Sequence, residues 1–188
     1  MKSLLFILLL IATYHASAQV QNGSYRKGCQ VYNDDDYLTT NLDIQHNKWL
    51  FTHTAYEDIN CEKPYLQYIK YTKVALNGQI ANSINFTYEK VAYRPLTDET
   101  ATALNLAYWC SKNNWQKDIE TEVTGLTCGD FIPPQKGEVL YSIFKIEEKS
   151  LFLGQGSSDF NGSTESRRHQ NFEELGYKPI RLGTSIIP

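Results

Sequence analysis

Four cysteines, Cys29, Cys61, Cys110 and Cys128, are the residues of this chain best suited to chemistry. As thiolates they would bind a metal or attack an electrophile; as pairs they would cross-link the chain. No two form a Cys-x2-Cys pair and no histidine stands at ligand spacing, which disfavours zinc. The N-terminus favours cross-links. Lys2 gives a positive start, Leu4 to Ile11 is an unbroken apolar run, and Ala16-Ser17-Ala18 closes it with small residues. Residues 1–18 read as a secretory signal, too short for a bilayer span of about 20 apolar residues. The expected destination is extracellular, or periplasmic in a Gram-negative bacterium, where cysteines pair. Three pairings are possible. The expected one nests a bridge in each half of the chain, Cys29 with Cys61 and Cys110 with Cys128.

The remaining polar candidates are weaker. His46, His53 and His169 are far apart, pair with no obvious acid, and read as solvated strand or loop histidines. Asp34-Asp35-Asp36 has the oxygen ligands calcium wants, but no Gly-centred loop or distal Glu follows, so it reads as a solvated loop. Gly154-Gln155-Gly156-Ser157-Ser158 lacks the Gly-Lys-Ser/Thr ending of a phosphate loop. No Gly-x-Ser-x-Gly element or carboxylate pair stands out. A non-enzymatic protein without metal or cofactor is expected. Asn22, Asn85 and Asn161 head glycosylation sequons, which matter in a host that glycosylates secreted proteins.

Those residues must be held by something, and the pattern points to strands. The chain has 188 residues, 13 of them Tyr, with 18 basic against 21 acidic side chains for a net charge of −3. Scattered basic residues leave no footprint for nucleic acid, and no second apolar run suggests a membrane span. Short strands are expected at Asn22–Cys29, Lys48–Tyr56 and Tyr65–Val74, with Asn77-Gly78 as a hairpin signal. In the next strand Ile80, Ile84, Phe86 and Tyr88 share one face, interrupted by Asn82, and polar residues share the other. Arg94-Pro95 ends it. Thr97 is a suitable N-cap for one short helix near 98–110, with Ala101, Leu104 and Tyr108 on a stripe. Trp115–Val123 reads as a further strand. Leu140–Ile146 and Leu151–Leu153 form a hairpin, Gly154–Arg168 a long polar loop.

The fold class expected is mainly β: an antiparallel meander closing into a barrel, since closure removes exposed edges. One domain is assigned to residues 19–178, with a tail at 179–188. A closed barrel can hold a small ligand. Its inward candidates are Ile80, Asn82, Ile84, Phe86, Tyr88, Phe144 and Ile146. Asn82, a polar group on an apolar face, would need a partner, a water or a ligand. The expected partner is a small apolar ligand inside. The alternative is an extracellular protein or glycan meeting the loops at Asn33–Asp36 and Gly154–Arg168.

Several short motifs are familiar in combination. Gly23-Ser24-Tyr25 before Cys29 resembles the Gly-x-Trp first strand of lipocalins, with Tyr in place of Trp. Tyr56-Glu57-Asp58-Ile59-Asn60-Cys61 is similar to the Tyr-x-Asp-x-x-Cys turn of the APCDD1-type (adenomatosis polyposis coli down-regulated 1) domain. The Leu104-Asn105, Trp109-Cys110, Trp115 and Leu126-Thr127-Cys128 run resembles small secreted bacterial relatives of that domain. So does Tyr141–Ile146 with Leu151–Gly154. The arginine-proline of the family is Arg167-Arg168-His169 here. The resemblance implies a lipocalin-like barrel around an apolar ligand or lipid.

Overall fold

The computed structural model describes residues 20–32, 36–77 and 82–180. The expected signal, Asp34, Asp35, Gly78 and the candidate Ile80 lie outside the described residues. The strands are β1 (Gly23–Val31), β2 (Tyr37–Gln45), β3 (Lys48–Tyr56), β4 (Pro64–Asn77), β5 (Ser83–Pro95), β6 (Thr121–Glu122), β7 (Val139–Glu147), β8 (Ser150–Gln155), β9 (Asn171–Phe172) and β10 (Lys178–Pro179), with helix α1 (Asp98–Leu106) after β5. The pairings described are antiparallel, in the order β10-β1-β2-β3-β4-β5-β7-β8-β9, and β6 adds to β5. The protein is a mainly β, curled half-barrel with one helix.

Alternation decides which side chains face inward. Leu42 lies opposite Phe51 and Ile44 opposite Trp49; Phe51 lies opposite Lys70. A bulge between β4 and β5 pairs Tyr71 with Lys90 and Thr72 with Tyr88, leaving Glu89 over. That extra residue switches the parity of β5. Tyr88 and Val91 therefore both point inward, 8% and 0% exposed. One apolar cluster fills the end of the barrel near the β2–β3 and β7–β8 turns. Its centre is Leu42, Ile44, Trp49, Ile84, Phe144 and Leu151. A second cluster joins Tyr88 and Val91 to Ala101, Trp115, Val123 and the Cys110–Cys128 pair. The expected disulfides are both present, Cys29–Cys61 and Cys110–Cys128.

The C-terminal segment joins the margins of the curl. Tyr177 exchanges backbone hydrogen bonds with Leu151 of β8 (2.7 and 2.9 Å), and the Ile180 amide donates to the Ser24 carbonyl of β1 (2.7 Å). Pro179 pairs with Tyr25, so the assigned tail begins inside the fold.

Four other expectations are corrected. Residues 112–120 are not a strand: the Asn105 side chain takes both backbone groups of Trp115 (2.8 and 2.9 Å), leaving none for a ladder. Glu120 then pins this segment to the outer face of β4 and β5 through Tyr71, Lys90 and Arg94. The Thr97 cap forms, but α1 stops at Leu106, and Tyr108, Cys110 and Ser111 take left-handed backbone angles. Tyr108 consequently leaves the buried stripe and is exposed. Asn82 is an exposed left-handed turn residue (φ 65°) rather than an interruption of the apolar face. Its carbonyl accepts from the Phe144 amide at 2.8 Å. Lastly, β2 has no counterpart among the expected strands.

Tyr177 is 2% exposed and packs edge-on to Phe51. Tyr177→Ala is expected to lower unfolding free energy by about 3–5 kcal/mol. Leu175→Ala, at an exposed position of the same segment, should stay within about 0.5 kcal/mol. Urea unfolding midpoints at constant m-value check both.

Candidate functional site

The packed cluster occupies only one end of the barrel. At the other, beneath the β1–β2 and β3–β4 loops, a hollow lies beside the second cluster. On β3 the inward positions run Trp49, Phe51, His53, Ala55; on β4 they run Leu66, Tyr68, Lys70, Thr72. Both strands thus carry large apolar groups to mid-barrel and then a nitrogen base. Two spaces share His53 and Lys70 in their linings. The inner one, about 110 Å³, reaches Thr72, Tyr88, Ser142 and Glu173. The outer one, about 490 Å³, is walled mostly by apolar surface from Leu38, Ala55, Leu66, Tyr68, Tyr93 and Phe131. Its size falls among the roughly 300–1,000 Å³ of small-molecule sites.

The outer walls are aromatic. The Tyr68 ring lies 5.0 Å from Tyr93 and 5.9 Å from Phe131. At the rim the Tyr65 hydroxyl donates to the Asp36 carboxylate at 2.9 Å. Burial pushes the Tyr68 hydroxyl well above its ordinary range and Tyr93 up to about 12. These phenols stay neutral, so they add no charge to the walls.

Two inward-facing lysines differ in pairing and in exposure, Lys27 being buried and Lys70 half-buried. Lys27 pairs with Glu173 at 2.5 Å and lies over the Tyr177 ring. Lys70 makes no ion pair among the described residues; its ammonium is 5.3 Å from the Phe51 ring centre and 5.9 Å from that of Tyr68. It is half-buried and lines both spaces. Burial, with Lys27 nearby, pushes it down to about 8, while Glu173 opposes the shift. His53 lies opposite Tyr68. Its Nδ1 is 3.1 Å from the Thr40 hydroxyl, and its Nε2 is buried without a partner. Burial holds this imidazole well below its ordinary range, with Lys70 and Lys27 adding to the effect.

Of the residues expected at a ligand, Phe86 and Tyr88 line the inner space. Ile84 and Phe144 belong to the packed cluster. Ile146 is 37% exposed beside a separate surface hollow at the opposite end, and Asn82 faces solvent in its turn. The cavity-lining bases His53 and Lys70 were absent from that set, although their inward parity was readable from the alternation in β3 and β4. His53 and His169 are not solvated. The His169 Nδ1 meets the Ser142 hydroxyl at 3.0 Å, and the side chain is 7% exposed.

The 154–168 loop is fastened at its C-terminal end. Arg168 donates to the carbonyls of Ile84 (3.2 Å) and Ser142 (2.8 Å) and to the Asn85 amide oxygen (2.8 Å). The sequon residue Asn85 is thereby half-buried and engaged, whereas Asn22 and Asn161 are exposed. Gly154 allows the loop's close return: a Cβ there would stand 2.6 Å from both His169 and Ser142. Among the described residues no three metal-ligating side chains gather, and no helix is long and apolar enough to cross a membrane. No protein-family model matches the sequence, and no curated protein is detectably similar to it.

A histidine held neutral by the fold makes stability depend on pH. In the unfolded chain His53 titrates near 6.5, and in the fold well below that. Its contribution is complete above about pH 6.5 and is lost as pH falls from there toward the folded value. His53→Leu is expected to flatten the loss of urea stability between pH 7 and pH 5 relative to the parent chain. Paired unfolding curves at the two pH values measure the difference.

Proposed function

We propose that this protein is a secreted, non-enzymatic binding protein that carries a small, largely apolar ligand in the hollow end of its half-barrel. The observation that carries the reading is the outer space of about 490 Å³ with its aromatic and aliphatic walls. Filling that end would have needed only larger side chains at positions such as Ala55, as the opposite end does with Trp49 and Phe51. Empty apolar volume is costly, because the lining loses its dispersion contacts. A ligand restores them. Two disulfides fit an extracellular setting, and the signal-like N-terminus points the same way. The lipocalin-like and APCDD1-type resemblance agrees with this reading, since it implies an apolar ligand inside such a barrel. The ligand-facing residues in this account are Tyr88, His53, Lys70, Tyr68, Tyr93 and Ala55.

A neutral fluorescent probe, N-phenyl-1-naphthylamine, tests it. The folded protein is expected to bind one probe per chain with enhanced fluorescence. Ala55→Trp, which places a large ring in the outer space, should weaken binding at least about tenfold, or about 1.4 kcal/mol. A probe bound equally by both proteins would place binding elsewhere and contradict the proposal.

A further inference from the structure

Resting on the carrier reading, the geometry points to one ligand class: we infer that the cavity selects an amphiphile with a single small anionic head, such as a carboxylate, held between Lys70 and His53 with its apolar body toward Tyr68, Tyr93 and Phe131.

The inference starts from the contrast between the two inward-facing lysines. An ammonium taken out of water needs a counter-charge. Lys27 has one in Glu173, at 2.5 Å. Lys70 has only the faces of Phe51 and Tyr68, and cation–π attraction offsets only part of the lost hydration. From the elements packed around the inner space, the charged groups are Lys27 on β1, Lys70 on β4 and Glu173 on the C-terminal segment, with His53 neutral on β3. Lys27 and Glu173 cancel. One positive charge is left over at the inner space, while the outer space carries the Asp36 carboxylate at its rim, bonded to the Tyr65 hydroxyl.

The second observation is the orphaned His53 Nε2. When the Thr40 hydroxyl donates to Nδ1, the ring proton sits on Nε2, a buried donor on a residue that lines both spaces. Buried donors without acceptors are rare in folded proteins. A carboxylate there would accept from Nε2–H with one oxygen and pair with the Lys70 ammonium. It would satisfy both groups at once. A neutral alcohol could meet the hydrogen bond but not the charge, and a cationic head would be repelled. The push of Lys70 down to about 8 is what an ammonium without a counter-ion should show.

Three probes with the same ten-carbon chain, used below micelle-forming concentrations, separate the outcomes: decanoate, decanol and decyltrimethylammonium. Calorimetric titration of the protein is expected to show decanoate binding at least about tenfold tighter than decanol, and the cation weakest. In Lys70→Met, which keeps the length of the side chain, decanol affinity should hold while the preference for decanoate disappears. Retained decanol binding shows that this variant is folded with its cavity intact. His53→Leu should reduce the preference part-way. Equal affinity for decanoate and decanol in the parent chain, or a preference that survives Lys70→Met, overturns the anion assignment alone. Failure of all three probes and of the neutral naphthylamine overturns the carrier reading and this inference with it.

Discussion

A curled antiparallel sheet depends on what happens to its two edges. Here the joint is the C-terminal segment, which bonds to β8 through Tyr177 and to β1 through Lys178–Ile180. Only a few residues make it, yet the interior depends on them. Tyr177 closes the wall beside Phe51, and Glu173 brings the counter-charge that lets Lys27 remain buried. Without that segment the half-barrel would expose unpaired strand edges and its inner space would open to water.

Inside the curl, side-chain volume divides the barrel into a packed part and a hollow one. At the Trp49 end large apolar groups interlock, with Trp49 and Phe86 edge-on at 5.6 Å. Toward Leu66 and Tyr93 a space of about 490 Å³ remains. The segment that follows α1 is bound to the outer wall by Glu120, and its Cys110–Cys128 bridge packs in the cluster with Tyr88 and Val91. These attachments brace β5, the strand that contributes Tyr88 to the inner space and Tyr93 to the outer one.

Much of the architecture was readable before any coordinates. The strand Lys48–Tyr56 has the expected bounds, Thr97 caps the helix, and both disulfides follow the pairing that keeps each bridge local. The departures share a cause, namely side chains acting on backbone at a distance. Asn105 satisfies Trp115 across ten residues and prevents a strand that local composition favours. Arg168 reaches carbonyls 84 and 26 positions away and fastens a segment that reads as free loop. The site was only half legible. Alternation placed Phe86 and Tyr88 inward correctly, but His53 and Lys70 become meaningful only when β3 and β4 are set in register. That register brings Lys70 and His53 to the lining of one cavity. Ile84 and Phe144 satisfy the same alternation yet end in the packed half, because period two tells inside from outside and not one end of a barrel from the other.

The central claim is that ligand enters the hollow end and stops at Lys70. Residue-resolved NMR of the isotopically labelled protein, titrated with decanoate, tests this most directly. The account predicts saturable shifts at His53, Tyr68, Lys70 and Tyr93, with Ile44, Ile84 and Leu151 nearly unmoved. Shifts centred on the packed end or the outer sheet face, or none at all, would contradict it.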